Sequence, residues 1–238
     1  MNYIQIAKTY CCNVVALSTL VLLASCGGGG GGSTTPPPSA PLFGTGALND
    51  SGINASQCYA GGSDVLVPCT DLGATMLNTA QDGMVGRDAN VSTNSNSDGR
   101  LGFSFTPVTG GCVMDNVTRL TWEVKTTDNG VRDWTKTYTH ITAADFVNTV
   151  NNSNLCGHSD WRLPMPDELQ RIVDYSVAPG PTIDAAWFLN TQAGVFWSGA
   201  LNKSDPTQAW GVNFQYGSVS PLYFRSETHY VRLVRADF

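Results

Sequence analysis

Charged side chains are scarce in this sequence. Asp, Glu, Lys and Arg together make up 13% of its 238 residues, whereas 42% are hydrophobic and 10% aromatic. Such a chain is globular, with Asn, Thr, Ser and Gly covering its surface in place of charge. That composition favours a loop-rich extracytoplasmic protein over a cytosolic helical one. The formal net charge of −6 leaves no basic excess for nucleic acid. Histidine is scarcer still, with His140, His158 and His229 the three in the chain. There is no H-E-x-x-H motif, and Gly157-His158-Ser159-Asp160-Trp161 ends in Trp where a nucleophile elbow needs Gly. No catalytic constellation assembles, so no enzyme is expected. Long apolar runs are missing too: residues 14–23 are too few to cross a hydrocarbon core of about 30 Å as a helix.

That short run has a different use. Lys8 supplies a small positive start, the apolar stretch follows, and Leu23-Ala24-Ser25-Cys26 then runs directly into glycines. The arrangement resembles the lipobox of a bacterial lipoprotein signal peptide. The resemblance implies that residues 1–25 are removed, that lipid is attached to the Cys26 thiol, and that the new amino end is acylated. Each acyl chain contributes about 0.8 kcal/mol per buried CH₂, and one chain anchors only marginally, so the three chains implied would hold firmly. Gly rather than Asp at position 27 suggests the outer membrane under the Gram-negative sorting rule, facing either the periplasm or the outside. Residues 26–44, with glycines at 27–32 and Pro36-Pro37-Pro38, read as a tether that places the folded part away from the bilayer.

About 200 residues then remain, enough for one large domain or a domain with an extension. Cys11 and Cys12 leave with the signal and Cys26 carries lipid, so Cys58, Cys69, Cys112 and Cys156 are left. In an oxidising compartment four cysteines read as two disulfides with three pairings open. Cys58 with Cys69 and Cys112 with Cys156 is favoured, because the first pair closes a local loop and leaves the second inside a separate unit. A zinc site is not expected, since no C-x-x-C pair occurs and only His158 lies near Cys156.

Residues 45–111 show little periodicity and read as a loop-rich extension. Gly61-Gly62, Asp82-Gly83 and the polar run at 93–99 are turn signals, with short strands at 65–67 and 103–105. The Asp and Asn clusters at 82–88 and 94–98 offer oxygens of the kind calcium takes. Neither has EF-hand spacing, so solvated turns are expected, no cofactor is assigned, and calcium is unsupported. From Cys112 the signals sharpen. A strand is expected over 120–124, with Asn116 and Thr118 in the turn before it. Thr142 and Asp145 resemble a capping box before a helix with Phe146, Val147 and Val150 on its apolar face. Pro164-Met165-Pro166-Asp167-Glu168 opens a second helix with Leu169, Ile172 and Val173 as its buried stripe. Short strands follow at 195–198, at 210–214 with Trp210, Val212 and Phe214 alternating, at 219–224 and at 230–235. Two short helices followed by a strand-rich half make an α+β plan.

Several segments carry a resemblance. Cys112-Val-Met-Asp-Asn-Val-Thr-Arg-Leu-Thr-Trp-Glu123, Cys156-Gly-His-Ser-Asp-Trp-Arg-Leu-Pro164 with Asp167-Glu168-Leu169, Phe196-Trp197-Ser198 and Val231-Arg-Leu-Val-Arg235 resemble the Lcl C-terminal domain family. That family is named for the last domain of a bacterial collagen-like adhesin. The likeness covers residues 112–238 and implies a C-type-lectin-like domain with a twisted, loop-rich antiparallel sheet. It also implies a Cys112–Cys156 disulfide and, from the adhesin, binding of sulfated polysaccharide. The chain has no collagen repeats. Lectin-like folds include formylglycine-generating oxidases, which need a reactive cysteine pair near the C-terminal end, but no cysteine follows Cys156.

Within the domain, Arg162 is read as the partner of an internal carboxylate, and Trp122, Trp161 and Trp197 as core. Lys203, Trp210, Tyr216, Tyr223 and Arg225 fall in the loop-rich last part, where lectin-like folds place their ligand surface. An aromatic ring stacks on the C–H face of a sugar, and Arg or Lys bonds its hydroxyls or sulfates. From residue 199 onward Lys203, Arg225, Arg232 and Arg235 are set against Asp205, Glu227 and Asp237. That balance weakens the case for a heparin-like partner and leaves a neutral glycan or an envelope protein as the expected ligand.

Overall fold

The structure, a computed structural model, describes residues 51–53, 57–60, 65–77, 81–85, 102–177 and 180–236. The expected signal sequence and tether, residues 1–44 with Cys26, and the turn signals at 61–62 and 93–99 lie outside the described residues.

The architecture is α+β, a few short helices among several antiparallel sheets. The extension contributes β1 (Cys58–Tyr59), β2 (Leu66–Val67), α1 (Leu72–Leu77) and α2 (Asp82–Val85). Asp82-Gly83 therefore begins a helical turn rather than the turn expected. Gln81 grips the backbone of Tyr59 from both sides, accepting its N–H at 2.7 Å and donating to its carbonyl at 3.0 Å. Asp82 accepts from the Ser51 hydroxyl. Neither long-range contact is visible in local propensity.

The first sheet is built around β4 (Cys112–Asp115) and β5 (Leu120–Glu123). The turn between them forms because Asp115 Oδ1 accepts from the N–H groups of Val117 and Thr118, and Arg119 takes a left-handed φ of 62°. β3 (Phe105–Val108) pairs with β4, two residues beyond the expected strand, and its Pro107 is tolerated because β3 is the edge. The last strand, β11 (Val234–Ala236), pairs with β5, giving the order β11-β5-β4-β3. Trp122, opposite both Val113 and Val234, is fully buried.

Two helices pack on this frame. α3 (Ala143–Asn152) buries Ala143, Phe146 and Val150, while Val147 is only partly covered. The capping box does not form: the Thr142 hydroxyl lies 3.0 Å from that of Thr139 and leaves the helix end uncapped. After α3, Asn151 bonds the backbone N–H and carbonyl of Trp161, whose indole N–H donates to the Leu155 carbonyl. The Cys112–Cys156 disulfide ties this corner to β4. Gly110 passes beside it at φ 101°, where a Cβ would sit 3.2 Å from the backbone of Cys156, so a side chain would be strained by its φ and would have to push that backbone away. α4 (Pro166–Gln170) follows and is shorter than expected: Leu169 is buried on it, while Ile172 and Val173, expected on the same stripe, are buried in the turn that follows.

The second sheet is β7 (Val195–Leu201), β8 (Gln208–Asn213) and β9 (Ser218–Phe224), with β9 at an edge. β10 (Thr228–His229) pairs with β6 (Tyr138–Thr139) alongside. Val212 and Phe214 are buried, but Trp210 is half-exposed because the β8–β9 register shifts between Ala209 and Gly211. One core gathers Trp122, Phe188, Phe196 and Phe214, and a second gathers Phe146, Trp161, Trp197 and Leu233. Each such side chain contributes about 2 kcal/mol on burial.

Candidate ligand-binding surface

The most distinctive motif residues turn inward. Arg162 forms a two-pronged pair with Glu168, Nη1 and Nη2 each donating at 2.7 Å, while Glu168 also accepts the Met165 N–H that opens α4. Arg235 donates to Asp160 at 2.9 Å. Arg232 is fully buried, stacked over Phe188 and Phe196 and donating to the Glu123 carbonyl and to Thr191. Burial pushes its guanidinium down to about 10, against the opposing pull of Glu123. Lys125, also buried, donates to Glu123 at 2.9 Å and lies 4.6 Å from the Phe146 ring centre. Desolvation lowers its ammonium despite Glu123. Sequence reasoning assigned no role to this Glu123–Lys125–Arg232 cluster. The one available signal was three charges beside apolar neighbours, Glu123 at the end of β5, Lys125 just after it and Arg232 between Val231 and Leu233.

Of the five residues expected at a ligand surface, the structure brings three to one end of the second sheet. Lys203 sits in the β7–β8 loop, and Arg225 follows β9, donating Nη1 to the Pro206 carbonyl of that loop. Tyr223, half-buried, faces the same end with its ring against Trp197 and His229 at 6.3 and 5.2 Å. Burial and the Glu227 carboxylate both raise its phenol. Trp210 is on β8 close by. Tyr216 is not: it lies in the β8–β9 turn, at the far end of a six-residue strand that spans about 20 Å.

Two histidines line this end. His140 donates Nε2 to the Ser198 carbonyl, since a carbonyl only accepts, which leaves Nδ1 as an acceptor. Among the described residues neither that nitrogen nor Arg225 Nε has a partner, although both are buried. Desolvation lowers His140, with the Ser198 bond opposing and Arg225 adding to the effect; it also lowers His229, with the Glu227 bond opposing. Leu222 and Phe224 project outward on β9, 63% and 49% exposed. Among the described residues no group of three His, Cys, Asp or Glu could hold a metal, and no helix is long and apolar enough to cross a membrane.

A cleft elsewhere in the domain was not foreseen. A cleft of about 770 Å³ opens between the start of β3 and the segment after α4, with Phe103, Phe105 and Trp187 as apolar wall and Asp174, Asp184 and Ser176 among its polar groups. Phe105 lies 6.0 Å from Trp187, centre to centre. Asp174 Oδ1 accepts from the Ser176 N–H and hydroxyl, and Asp184 Oδ1 from the Ala186 N–H. Its residues come from two stretches far apart in sequence, so no motif announces it.

Fold and surface together define a disulfide-stapled α+β domain with inward-turned motif charges and a polar–aromatic end on its second sheet. The chain belongs to the Lcl C-terminal domain family, whose model matches residues 111–235. No curated protein and no solved structure matches the chain.

Proposed function

We propose that this protein is an outer-membrane lipoprotein, anchored through Cys26, that holds a C-type-lectin-like domain off the bilayer and binds carbohydrate without catalysis. The observation that carries this reading is the convergence of Lys203, Tyr223 and Arg225, with an unpartnered Arg225 Nε, at one end of the second sheet. Buried donors are almost always bonded, so an orphaned guanidinium N–H at the end that also holds the half-buried Tyr223 ring suits a ligand hydroxyl. Lys203 and Arg225 share this end with Asp205 and Glu227, which favours a neutral glycan over a heavily sulfated one. Both disulfides agree with an oxidising compartment.

The test is a glycan-array screen of the full chain, with and without calcium. Selective binding lost on Arg225→Ala or Lys203→Ala is the expected result, and Tyr223→Ala, checked for folding, reports on the aromatic contact. A blank array with folded protein would shift the assignment to a protein partner in the envelope. Exposed Leu222 and Phe224 on an edge strand support that second reading. It requires partner capture to fail on Leu222→Asp or Phe224→Asp while Arg225→Ala is tolerated.

A further inference from the structure

We infer that the cleft walled by Phe103, Phe105 and Trp187 is a separate binding site for a neutral pyranose oligosaccharide. The inference rests on the reading above that the domain's ligand is a carbohydrate, but it places binding on different residues. About 770 Å³ falls within the ordinary range for ligand clefts and has room for a short oligosaccharide. The chemistry of the lining selects among ligands. Among the described residues no Lys, Arg or His lines the cleft, whereas Asp174 and Asp184 do, so sulfated or carboxylated sugars meet like charge. Asp174 Oδ1 and Asp184 Oδ1 accept neighbouring N–H or O–H groups, which leaves both carboxylates anionic, so choline enters the test as the rival, cationic ligand. Among the described residues Asp184 Oδ2 has no donor, and it shares the cleft with the Trp187 ring. An oxygen that accepts from hydroxyls, set beside a ring that covers a C–H face, matches the two sides of a pyranose.

The experiment uses the full chain in a polyoxyethylene detergent, chosen because it carries no sugar headgroup. Tryptophan fluorescence and calorimetry follow titration with cellotriose, maltotriose and chitotriose, and separately with a heparin tetrasaccharide and with choline. The expected result is that at least one neutral trisaccharide binds. Asp184→Asn and Trp187→Ala each weaken it by about tenfold or more, Lys136→Ala, exposed and outside the cleft lining, leaves it unchanged, and neither heparin tetrasaccharide nor choline competes. Trp187 packs partly against the core, so Asp184→Asn, which keeps shape and volume, guards against a folding artefact. Binding that survives both cleft variants but is lost on Arg225→Ala would overturn the cleft assignment and leave the carbohydrate reading standing. Choline or heparin binding that depends on Trp187 would overturn the ligand class. Silence from all three trisaccharides would overturn the proposal, while an array hit with another glycan would keep the broader reading.

Discussion

Glu168 and Glu123 are both buried carboxylates facing cations, yet their removal should differ in cost. Glu168 answers Arg162, whose side chain is 39% exposed and can turn to water once its partner is gone. Glu123 answers Lys125 and contacts Arg232, which have nowhere to go. Truncating one member of a buried pair costs about 3–5 kcal/mol because it strands the other charge. Glu168→Ala is therefore expected at the low end, near 3 kcal/mol, and Glu123→Ala at or beyond the high end, read from urea midpoints of the two variants. A Glu168 cost equal to that of Glu123 would show that exposure of Arg162 gives no relief. The inward role of Arg162 was legible because an arginine in an apolar block, four residues before the helix start at Pro166, more often pairs with an internal carboxylate than faces a ligand. The burial of Arg232 was not legible, because Val231-Arg-Leu-Val-Arg235 alternates like a half-exposed strand. Its position between β5 and the Phe188 and Phe196 rings comes from pairings made across the whole chain.

At the level of elements, the helices and most strands from Cys112 onward could be read from apolar spacing, and the misses share a cause. α2 and the Trp210 bulge depend on partners remote in sequence, the Tyr59 backbone in one case and the β9 register in the other. Thr142 precedes a real helix but bonds toward Thr139, because a threonine hydroxyl has more than one local outlet. The two disulfides are the favoured pair. They close separations of 11 and 44 residues, for which chain entropy gives about 3 and about 4 kcal/mol. Replacing Cys112 and Cys156 together by Ser should accordingly lower the urea midpoint more than replacing Cys58 and Cys69. The reverse order would mean that the extension anchors the fold more than its loop length implies.

Across the whole molecule, stability should depend on pH through its two half-buried histidines. His140 and His229 both titrate below the ordinary 6.5, with burial as the main cause. The unfolded chain thus binds protons near pH 6.5 that the folded chain refuses, and stability present above that value is lost as pH falls through it. The shifted Asp128, Asp133 and Asp205 titrate below 3.8 and stay charged in this window. A lower urea midpoint at about pH 5.5 than at about pH 7.5 is expected, with His140→Gln reducing the difference. A flat profile would mean the imidazoles reach water. Organisation at this scale was only partly visible beforehand. The family likeness begins at Cys112, but β3 from the preceding stretch completes the sheet, and Tyr59 and Ser51 bond Tyr175.

The place of β11 beside β5 also says something about timing. Trp122 is covered from one side by Val234, which emerges more than a hundred residues later. Until then β5 has an open edge and the first core has no lid. The sheet therefore cannot close progressively as the polypeptide is made, and β5 stays open until Val234 has emerged. Closure waits on a pairing of high sequence separation, so this sheet should be among the last parts of the fold to lock.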